Sequence, residues 1–282
     1  MRVGKIRIGV VAPASRIEPV LAEKVTAIAA AQFPDRGPDI VFHPQCYLSS
    51  GHFAGDDAAR AAAFLDIAND EAFDALWIAR GGYGAGRIVE NVMPALNDAA
   101  RKKTYLGYSD AGALFGAMYA DGFQALAHGP MPADLLRGGG EAAVRRALAF
   151  FVDADPGATE PSVSSSQPTA AFNITILGHL LGTPFAPDLS GHILMLEEVS
   201  EHMYRIDRAL LHITSNPNIR RAAGIRLGRC SAIPPNDPPF SQSEEEIARH
   251  WCAVSGIPYL GRADIGHDID NKIVPFGRLS SR

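Results

Sequence analysis

The chain has few cysteines, no excess of positive charge and no long apolar run. Its 282 residues include 3 cysteines, which are far apart and form no Cys-x-x-Cys pair, so neither a disulfide framework nor a zinc site is indicated. Lys and Arg number 26 against 31 Asp and Glu, which leaves a net charge of −5 and makes nucleic acid an unexpected partner. No run of about 18 apolar residues is present to cross a membrane, and the apolar stretch at residues 8–12 is too short for a signal peptide. We therefore expect a cytoplasmic globular protein.

Several cofactor and catalytic motifs are also absent. There is no His-Glu-x-x-His zinc motif and no Ser-x-x-Lys motif. The glycine cluster at residues 80–87 (RGGYGAGR) places Arg87 where a dinucleotide-binding motif needs a small residue and a P-loop needs lysine. The sequence thus predicts neither a bound nucleotide nor a metal or organic cofactor. This cluster is either a ligand-binding turn or a tight turn without a ligand.

The first half of the chain alternates short apolar runs with segments of helical spacing. Strands are predicted at residues 6–11, 39–43, 75–79 and 104–108. Helices are predicted at residues 18–31, 57–68, 87–96 and 111–120. This alternation is typical of a mostly parallel sheet covered by helices, that is, an α/β fold.

The regular pattern ends near residue 152. Residues 153–170 are rich in Pro, Ser, Gly and Ala, which indicates an exposed linker between a domain at residues 1–152 and a second domain at 171–282. The second domain is expected to be smaller and mixed α/β. Its predicted elements are strands at 193–196, 225–233 and 257–260, and helices at 204–214 and 244–255.

A candidate nucleophile lies where a strand gives way to a helix. Ser109 is the centre of Gly-Tyr-Ser-Asp-Ala, and the small residues Gly107 and Ala111 permit the sharp turn of a nucleophile elbow. Such a turn would expose the serine hydroxyl and direct the backbone N–H of Asp110 toward a developing oxyanion. A plain helix N-cap is the alternative for this serine.

A serine nucleophile needs a base and an acid that orients it. His267 follows a strand-like segment at residues 263–266, and Gly266 permits close approach. Glu197 ends a buried apolar run, where a carboxylate is costly unless it is paired. Its neighbour Glu198 is an equal candidate, and a surface loop is the alternative for both.

Taken together, the segments resemble the LD-carboxypeptidase family, the muramoyltetrapeptide carboxypeptidases that also include the microcin C immunity peptidases. The resemblance runs almost end to end. It rests on these segments: VVAPAS at 10–15, FAGDDAAR at 53–60, ARGGYGAGR at 79–87, GYSD at 107–110, HGPM at 128–131, LLGTPFAPDL at 180–189, ILMLEEVSEHMYRIDRAL at 193–210, and IGHD around His267.

The resemblance implies a Rossmann-like N-terminal domain that carries the serine and a C-terminal domain that supplies the other two catalytic groups. It implies a triad of Ser109, His267 and Glu197, not Glu198. The implied activity is that of a serine carboxypeptidase of peptidoglycan recycling, which releases the terminal D-alanine of a murein tetrapeptide without a cofactor. A homodimer is also implied.

Further site residues follow from this assignment. The oxyanion is expected to meet the backbone N–H groups of Asp110, Gly81 and Gly82. Substrate contacts are expected from Arg80, Tyr83 and Asn173. Arg80 or Arg87 is a candidate partner for a substrate carboxylate, with a structural ion pair as the alternative.

Two functional alternatives stay open. The sequence also departs from the family pattern at one segment. The alternatives are a microcin-immunity-like peptidase, which cleaves aminoacyl-nucleotide analogues, and a non-catalytic protein that binds peptides. The departure is Ala171-Phe172-Asn173 where the family usually has Gly-Gly-Asn. Phe172 is expected to add bulk beside the cleft and so to affect the choice of substrate.

Overall fold

The computed structural model describes residues 5–279, which form two sheets with helices packed against them; residues 1–4 and 280–282, the ends of the two predicted domains, lie outside the described residues. The strands are β1 (Arg7–Val11), β2 (Asp39–Phe42), β3 (Ala75–Ile78), β4 (Thr104–Gly107), β5 (Leu126–His128), β6 (Thr169–Asn173), β7 (Ile193–Val199), β8 (Gly224–Ser231), β9 (Tyr259–Arg262) and β10 (Val274–Pro275). The α-helices are α1 (Pro19–Gln32), α2 (Asp57–Ala68), α3 (Ala85–Val92), α4 (Gly112–Ala120), α5 (Glu141–Asp153), α6 (Ile174–Leu180), α7 (Met203–Ser215) and α8 (Glu244–Ser255). Within the described range, none of these helices is long and apolar enough to cross a bilayer.

The first sheet has six strands in the order β2-β1-β3-β4-β5-β10. All neighbouring pairs are parallel except β5 and β10, which are antiparallel. The central strand β3 is buried along its whole length, because α2, α3 and α4 cover one face of the sheet while α1 and α5 cover the other. The predicted mostly parallel sheet is confirmed. Its strands β3 and β4 end at the edge where the glycine cluster and Ser109 follow.

The second sheet has four parallel strands in the order β6-β7-β8-β9, with α6, α7 and α8 packed beside it. The predicted smaller α/β part of the chain is therefore confirmed. The two parts interleave, because β10 returns from the end of the chain to the edge of the first sheet. Strand β6 begins at Thr169, inside the predicted linker. The strand expected at 257–260 begins later, at Tyr259.

Phe172 lies in the core that joins the two sheets. Its side chain is fully buried, and its ring centroid lies 5.1 Å from that of Phe276, which follows β10. It also packs on α4, where a β-carbon on Gly112 would lie 3.3 Å from the Phe172 ring. The expectation that Phe172 borders the cleft is wrong, because a large apolar ring is more stable in this core than beside solvent.

Candidate active site

Ser109 occupies a sharp turn after β4. Its φ is +60°, in the left-handed region that residues with a β-carbon rarely adopt, at a cost of about 1–2 kcal/mol. The turn needs small neighbours, because a β-carbon on Gly107 would lie 2.8 Å from Cβ of Ile78 and 3.3 Å from Cβ of Ala111. Such a strained turn is typical of a nucleophile elbow.

Three side chains that are remote along the chain meet at this turn. The Oγ atom of Ser109 lies 3.0 Å from Nε2 of His267. On the other side of the ring, Nδ1 lies 2.6 Å from Oε2 of Glu197. The side chains of His267 and Glu197 are 8% and 0% exposed. The serine hydroxyl thus faces an imidazole instead of capping α4, whose N-cap residue is Ala111.

The two neighbouring glutamates of β7 have different surroundings. Glu197 faces His267, whereas Glu198 accepts hydrogen bonds from Nδ2 of Asn173 at 2.6 Å and from Oγ1 of Thr175 at 2.7 Å. Successive side chains of a strand point to opposite faces, which separates the two carboxylates. Burial raises the pKa of Glu198, although its hydrogen bonds oppose the shift. Only Glu197 is placed to orient the imidazole.

His267 stands on an irregular loop, not at the end of a strand as expected. Residues 263–268 form no strand, and Arg229 of β8 holds them in place. Its guanidinium pairs with Asp264 at 2.5 Å and donates to Oδ1 of Asp268 at 2.8 Å, while its backbone N–H donates to the Ile265 carbonyl at 2.8 Å. These bonds fix the loop on both sides of the histidine.

The electrostatic environment sets the charge of two histidines. Burial disfavours protonation of His267, but the charge of Glu197 and its hydrogen bond outweigh burial and raise the pKa of His267 above its ordinary value. His128, at the end of β5, is 2% exposed, and burial lowers its pKa to about 4. His128 is therefore neutral at pH 7 and adds no positive charge near His267. In the described part of the chain, neither ring nitrogen of His128 nor Oε1 of Glu197 has a hydrogen-bond partner.

The glycine cluster after β3 lies directly against the serine. A β-carbon on Gly81 would lie 3.0 Å from both Cβ and Oγ of Ser109. Gly82 has a φ of +116°, and a β-carbon there would overlap the hydroxyl of Ser15. Only glycine permits this close approach, so the loop can bring backbone N–H groups to an atom bonded to the serine.

Buried charged groups hold this loop in position. The guanidinium of Arg60, a fully buried residue of α2, donates to the carbonyl of Gly84 at 2.8 Å and also to that of Pro13. The carboxylate of Asp110 accepts from the backbone N–H of Ala85 at 2.7 Å. Burial raises the pKa of Asp110 to about 6. The segments FAGDDAAR and VVAPAS thus act as supports of the loop.

A cleft of about 390 Å³ opens over these groups, and both parts of the chain line it. Ser109, Gly81, Gly82 and Arg80 come from the loops of the first sheet, and His267 comes from the second part. The two parts of the structure therefore form one site.

The other residues predicted to contact substrate lie elsewhere. Tyr83 is 57% exposed and packs on Phe53, and Asn173 is buried as the N-cap of α6; neither lines this cleft. Arg87 pairs with Asp57 at 2.7 Å, which is the structural alternative that the sequence left open.

The structure adds cleft residues that sequence reasoning misses. Tyr108, Asp134 and Arg137 line the cleft beside Ser109 and His267. The sequence signal was present in part, because the segment HGPM leads directly into the short helical turn Pro132–Leu136 that carries Asp134. The described residues contain no group of three or more His, Cys, Asp or Glu side chains arranged to hold a metal ion.

Comparisons with known proteins cover nearly the whole chain. The model of the LD-carboxypeptidase N-terminal domain matches residues 8–129, and that of the C-terminal domain matches residues 169–281. The murein tetrapeptide carboxypeptidase of Pseudomonas aeruginosa is 26% identical over 97% of this chain and 92% of its own length.

Solved structures share the fold. The muramoyltetrapeptide carboxypeptidase of Oxalobacter formigenes superposes with a TM-score of 0.78 at 23% identity, over 95% of this chain and 93% of its own. The microcin C7 self-immunity protein MccF superposes with a TM-score of 0.79 at 16% identity, over 98% of this chain and 92% of its own. At these identities the two structural similarities concern the fold alone.

Proposed function

Because the chain belongs to the LD-carboxypeptidase family, we propose that it is a serine peptidase that releases the terminal D-alanine from a murein tetrapeptide. The observation that carries the proposal is the unbroken hydrogen-bonded series from Glu197 through His267 to Ser109. The bond cleaved is the amide between an L-configured centre of the diamino acid and D-alanine. The name of the relative from Pseudomonas aeruginosa supports this substrate class.

The triad acts as a proton shuttle. Oγ of Ser109 attacks the amide carbon while Nε2 of His267 takes the hydroxyl proton. Glu197 accepts the hydrogen bond from Nδ1, which fixes the ring tautomer and stabilises the imidazolium. The protonated ring then gives its proton to the amine of D-alanine as the C–N bond breaks, and an ester between the peptide and Ser109 remains.

The negative charge that develops on the carbonyl oxygen needs donors in place before the reaction. We assign this role to backbone N–H groups of Asp110, Gly81 and Gly82, each contributing about 3 kcal/mol to the transition state. The contact between Gly81 and Ser109 supports the assignment, because it places this loop beside the atom that attacks. The buried Arg60 and Asp110 would keep the donors from reorganising during the reaction.

Hydrolysis of the ester restores the enzyme. Water attacks the ester carbon while His267 takes its proton, and the ester bond breaks as the ring returns that proton to Ser109. These steps need no metal or organic cofactor, so a chelator should leave the rate unchanged. We also propose that the protein acts in the cytoplasm as a homodimer, as the family resemblance implies.

The test is an assay of free D-alanine with L-Ala-γ-D-Glu-diamino acid-D-Ala as substrate. Release of one D-alanine per peptide is the expected result. An aminoacyl sulfamoyl nucleoside, assayed in parallel, tests the microcin-immunity alternative. Hydrolysis of that compound without release of D-alanine would replace the proposed substrate, and tight peptide binding without any turnover would indicate a binding protein.

A further inference from the structure

An arginine besides Arg80 is built into the cleft wall. Arg137 follows the helical turn Pro132–Leu136 and lines the same cleft as Ser109 and His267. Its side chain is 41% exposed. The guanidinium is therefore accessible from the space where a substrate would meet the nucleophile.

A buried carboxylate orients this guanidinium. Asp134 is 3% exposed, and its Oδ1 accepts from Nε of Arg137 at 3.1 Å and from the hydroxyl of Tyr108 at 2.7 Å. Its Oδ2 accepts from the backbone N–H of Met131 at 2.8 Å. Asp134 thus engages the guanidinium at Nε, and a guanidinium has five N–H donors in a planar fork that fits a second carboxylate.

Tyr108 connects the arginine to the catalytic base. Its hydroxyl binds Asp134, and its ring centroid lies 4.8 Å from that of His267. Arg137 and His267 also line the same cleft. A ligand held by Arg137 would therefore share this cleft with the imidazole, as expected of a terminal carboxylate and the amide bond that precedes it by one residue.

The other arginines near the cleft lack this arrangement. Arg80 lines the cleft but is exposed, and it donates a long hydrogen bond of 3.3 Å to the Arg16 carbonyl. Arg87 is engaged by Asp57. Among the described residues that line the cleft, Arg137 is the arginine that a buried carboxylate holds in place.

We infer that Arg137 is the receptor for the α-carboxylate of the terminal D-residue and that it makes the enzyme an exopeptidase. The inference rests on the proposed function and deepens it, because it names the group that selects a chain end over an internal amide. A planar, bidentate ion pair in a partly enclosed cleft discriminates strongly against a neutral amide. The neutral analogue would also leave the guanidinium with Asp134 as its anionic partner and without the second carboxylate.

The main comparison uses two substrates and three proteins. The substrates are the tetrapeptide with a free terminal carboxylate and the same peptide ending in D-alaninamide, and the product measured is D-alanine or D-alaninamide. The proteins are the wild type, Arg137→Gln and Arg249→Gln, the last a matched control at an exposed arginine of α8 that pairs with Glu245. Unfolding midpoints of all three establish that the variants fold.

The wild type and the Arg249→Gln control should prefer the acid over the amide on the order of 100-fold in kcat/KM. Arg137→Gln should lose most of that preference by slowing on the acid while its rate on the amide changes little. An unchanged preference in Arg137→Gln, or an equal loss on both substrates, overturns the inference. A wild type without any preference overturns it without the need for a variant. A wild type that cleaves neither substrate contradicts the proposed function instead.

Loss of the preference in Arg80→Gln, with Arg137→Gln unaffected, would move the receptor to Arg80 and also overturn the assignment. A third peptide separates the terminal carboxylate from the other acids of the substrate. Amidation of its γ-D-glutamyl α-carboxylate should leave the effect of Arg137→Gln intact. If the effect disappears only with that peptide, Arg137 binds the internal acid.

Discussion

A β-carbon placed on Gly81 would lie 3.0 Å from the Oγ atom of Ser109. That distance is shorter than ordinary van der Waals contact between such atoms, so the backbone of the glycine loop approaches the nucleophile as closely as only glycine permits. The same approach would bring backbone donors to an oxyanion bound to Ser109.

Gly81→Ala should therefore impair catalysis more than folding. The added methyl group requires the serine hydroxyl or the loop to shift by a few tenths of an ångström. Because a misplacement of about 1 Å costs on the order of 100-fold in rate, we expect a loss on the order of 10-fold. The measurement is kcat/KM with the tetrapeptide. Gly86→Ala in the same segment is the control, because its β-carbon would meet only Cβ of Ala113 at 3.8 Å. Equal losses in both variants would argue against a special role for Gly81.

The strained turn at Ser109 should be visible in stability. Ser109→Gly should be more stable than Ser109→Ala by about 1 kcal/mol, because glycine adopts a φ of +60° without the steric cost of a β-carbon. Urea unfolding of the two inactive variants measures the difference. The same pair of substitutions at Ser255, in helix α8, should give the opposite order, since glycine destabilises a helix relative to alanine. The same order at both sites would mean that the turn stores no strain.

Glu197 should control the pH dependence of the reaction. His267 must be neutral to accept a proton, and Glu197 raises its pKa despite burial, so the acid limb of kcat/KM should lie above pH 6.5. Glu197→Gln should lower kcat on the order of 10⁴-fold and move this limb to lower pH, because the imidazolium loses its counter-charge. The same substitution at Glu198 should leave the limb in place. A limb that moves in the Glu198 variant and not in the Glu197 variant would reverse the assignment.

His128 should make stability depend on pH in the acidic range. Its pKa is about 4 in the folded protein and about 6.5 when unfolded, so the unfolded state takes up a proton first as the pH falls. The wild type should therefore lose about 2–3 kcal/mol relative to His128→Leu between pH 7.5 and pH 4.5.

The comparison of the wild type with His128→Leu separates the effect of His128 from that of other titrating groups. The pKa of Asp110, about 6, acts in the opposite direction, because a raised carboxyl pKa stabilises the fold at low pH and this stability is lost as the pH rises. Asp110 is common to both proteins and cancels. His212→Leu, at an exposed residue of α7, is the control for replacing a histidine by leucine. A stability difference between the wild type and His128→Leu that stays constant between pH 7.5 and pH 4.5 would contradict the lowered pKa of His128.

The sequence predicts the turn at Ser109 because its cause is local. Gly107 and Ala111 lie within two residues of the serine, and the sharp turn requires both of them to be small. Glu197 and His267 are different, since 70 and 158 residues separate the members of the two hydrogen-bonded pairs. Local pattern can nominate such residues, but the packing of the second sheet against the first decides whether they meet.

Elements with weak local signals are missed for related reasons. Strand β5 has 3 residues, too few for a periodic pattern. Helix α6 has 7 residues and contains β-branched Ile and Thr, and it is fixed instead by the Asn173 cap, which accepts from Ile176. Arg137 is not identified from the sequence, because an arginine in a loop is common and carries no distinguishing pattern. Its distinction is the buried Asp134, which is held in turn by the remote Tyr108.

The most direct test of the whole account is the rate of D-alanine release from the tetrapeptide by Ser109→Ala, measured beside the wild type under identical conditions. The variant should remain folded and lose on the order of 10⁴- to 10⁶-fold in kcat, because the members of a triad act as one unit. A folded Ser109→Ala protein that releases D-alanine at a rate near that of the wild type would contradict the assignment of this serine as the nucleophile.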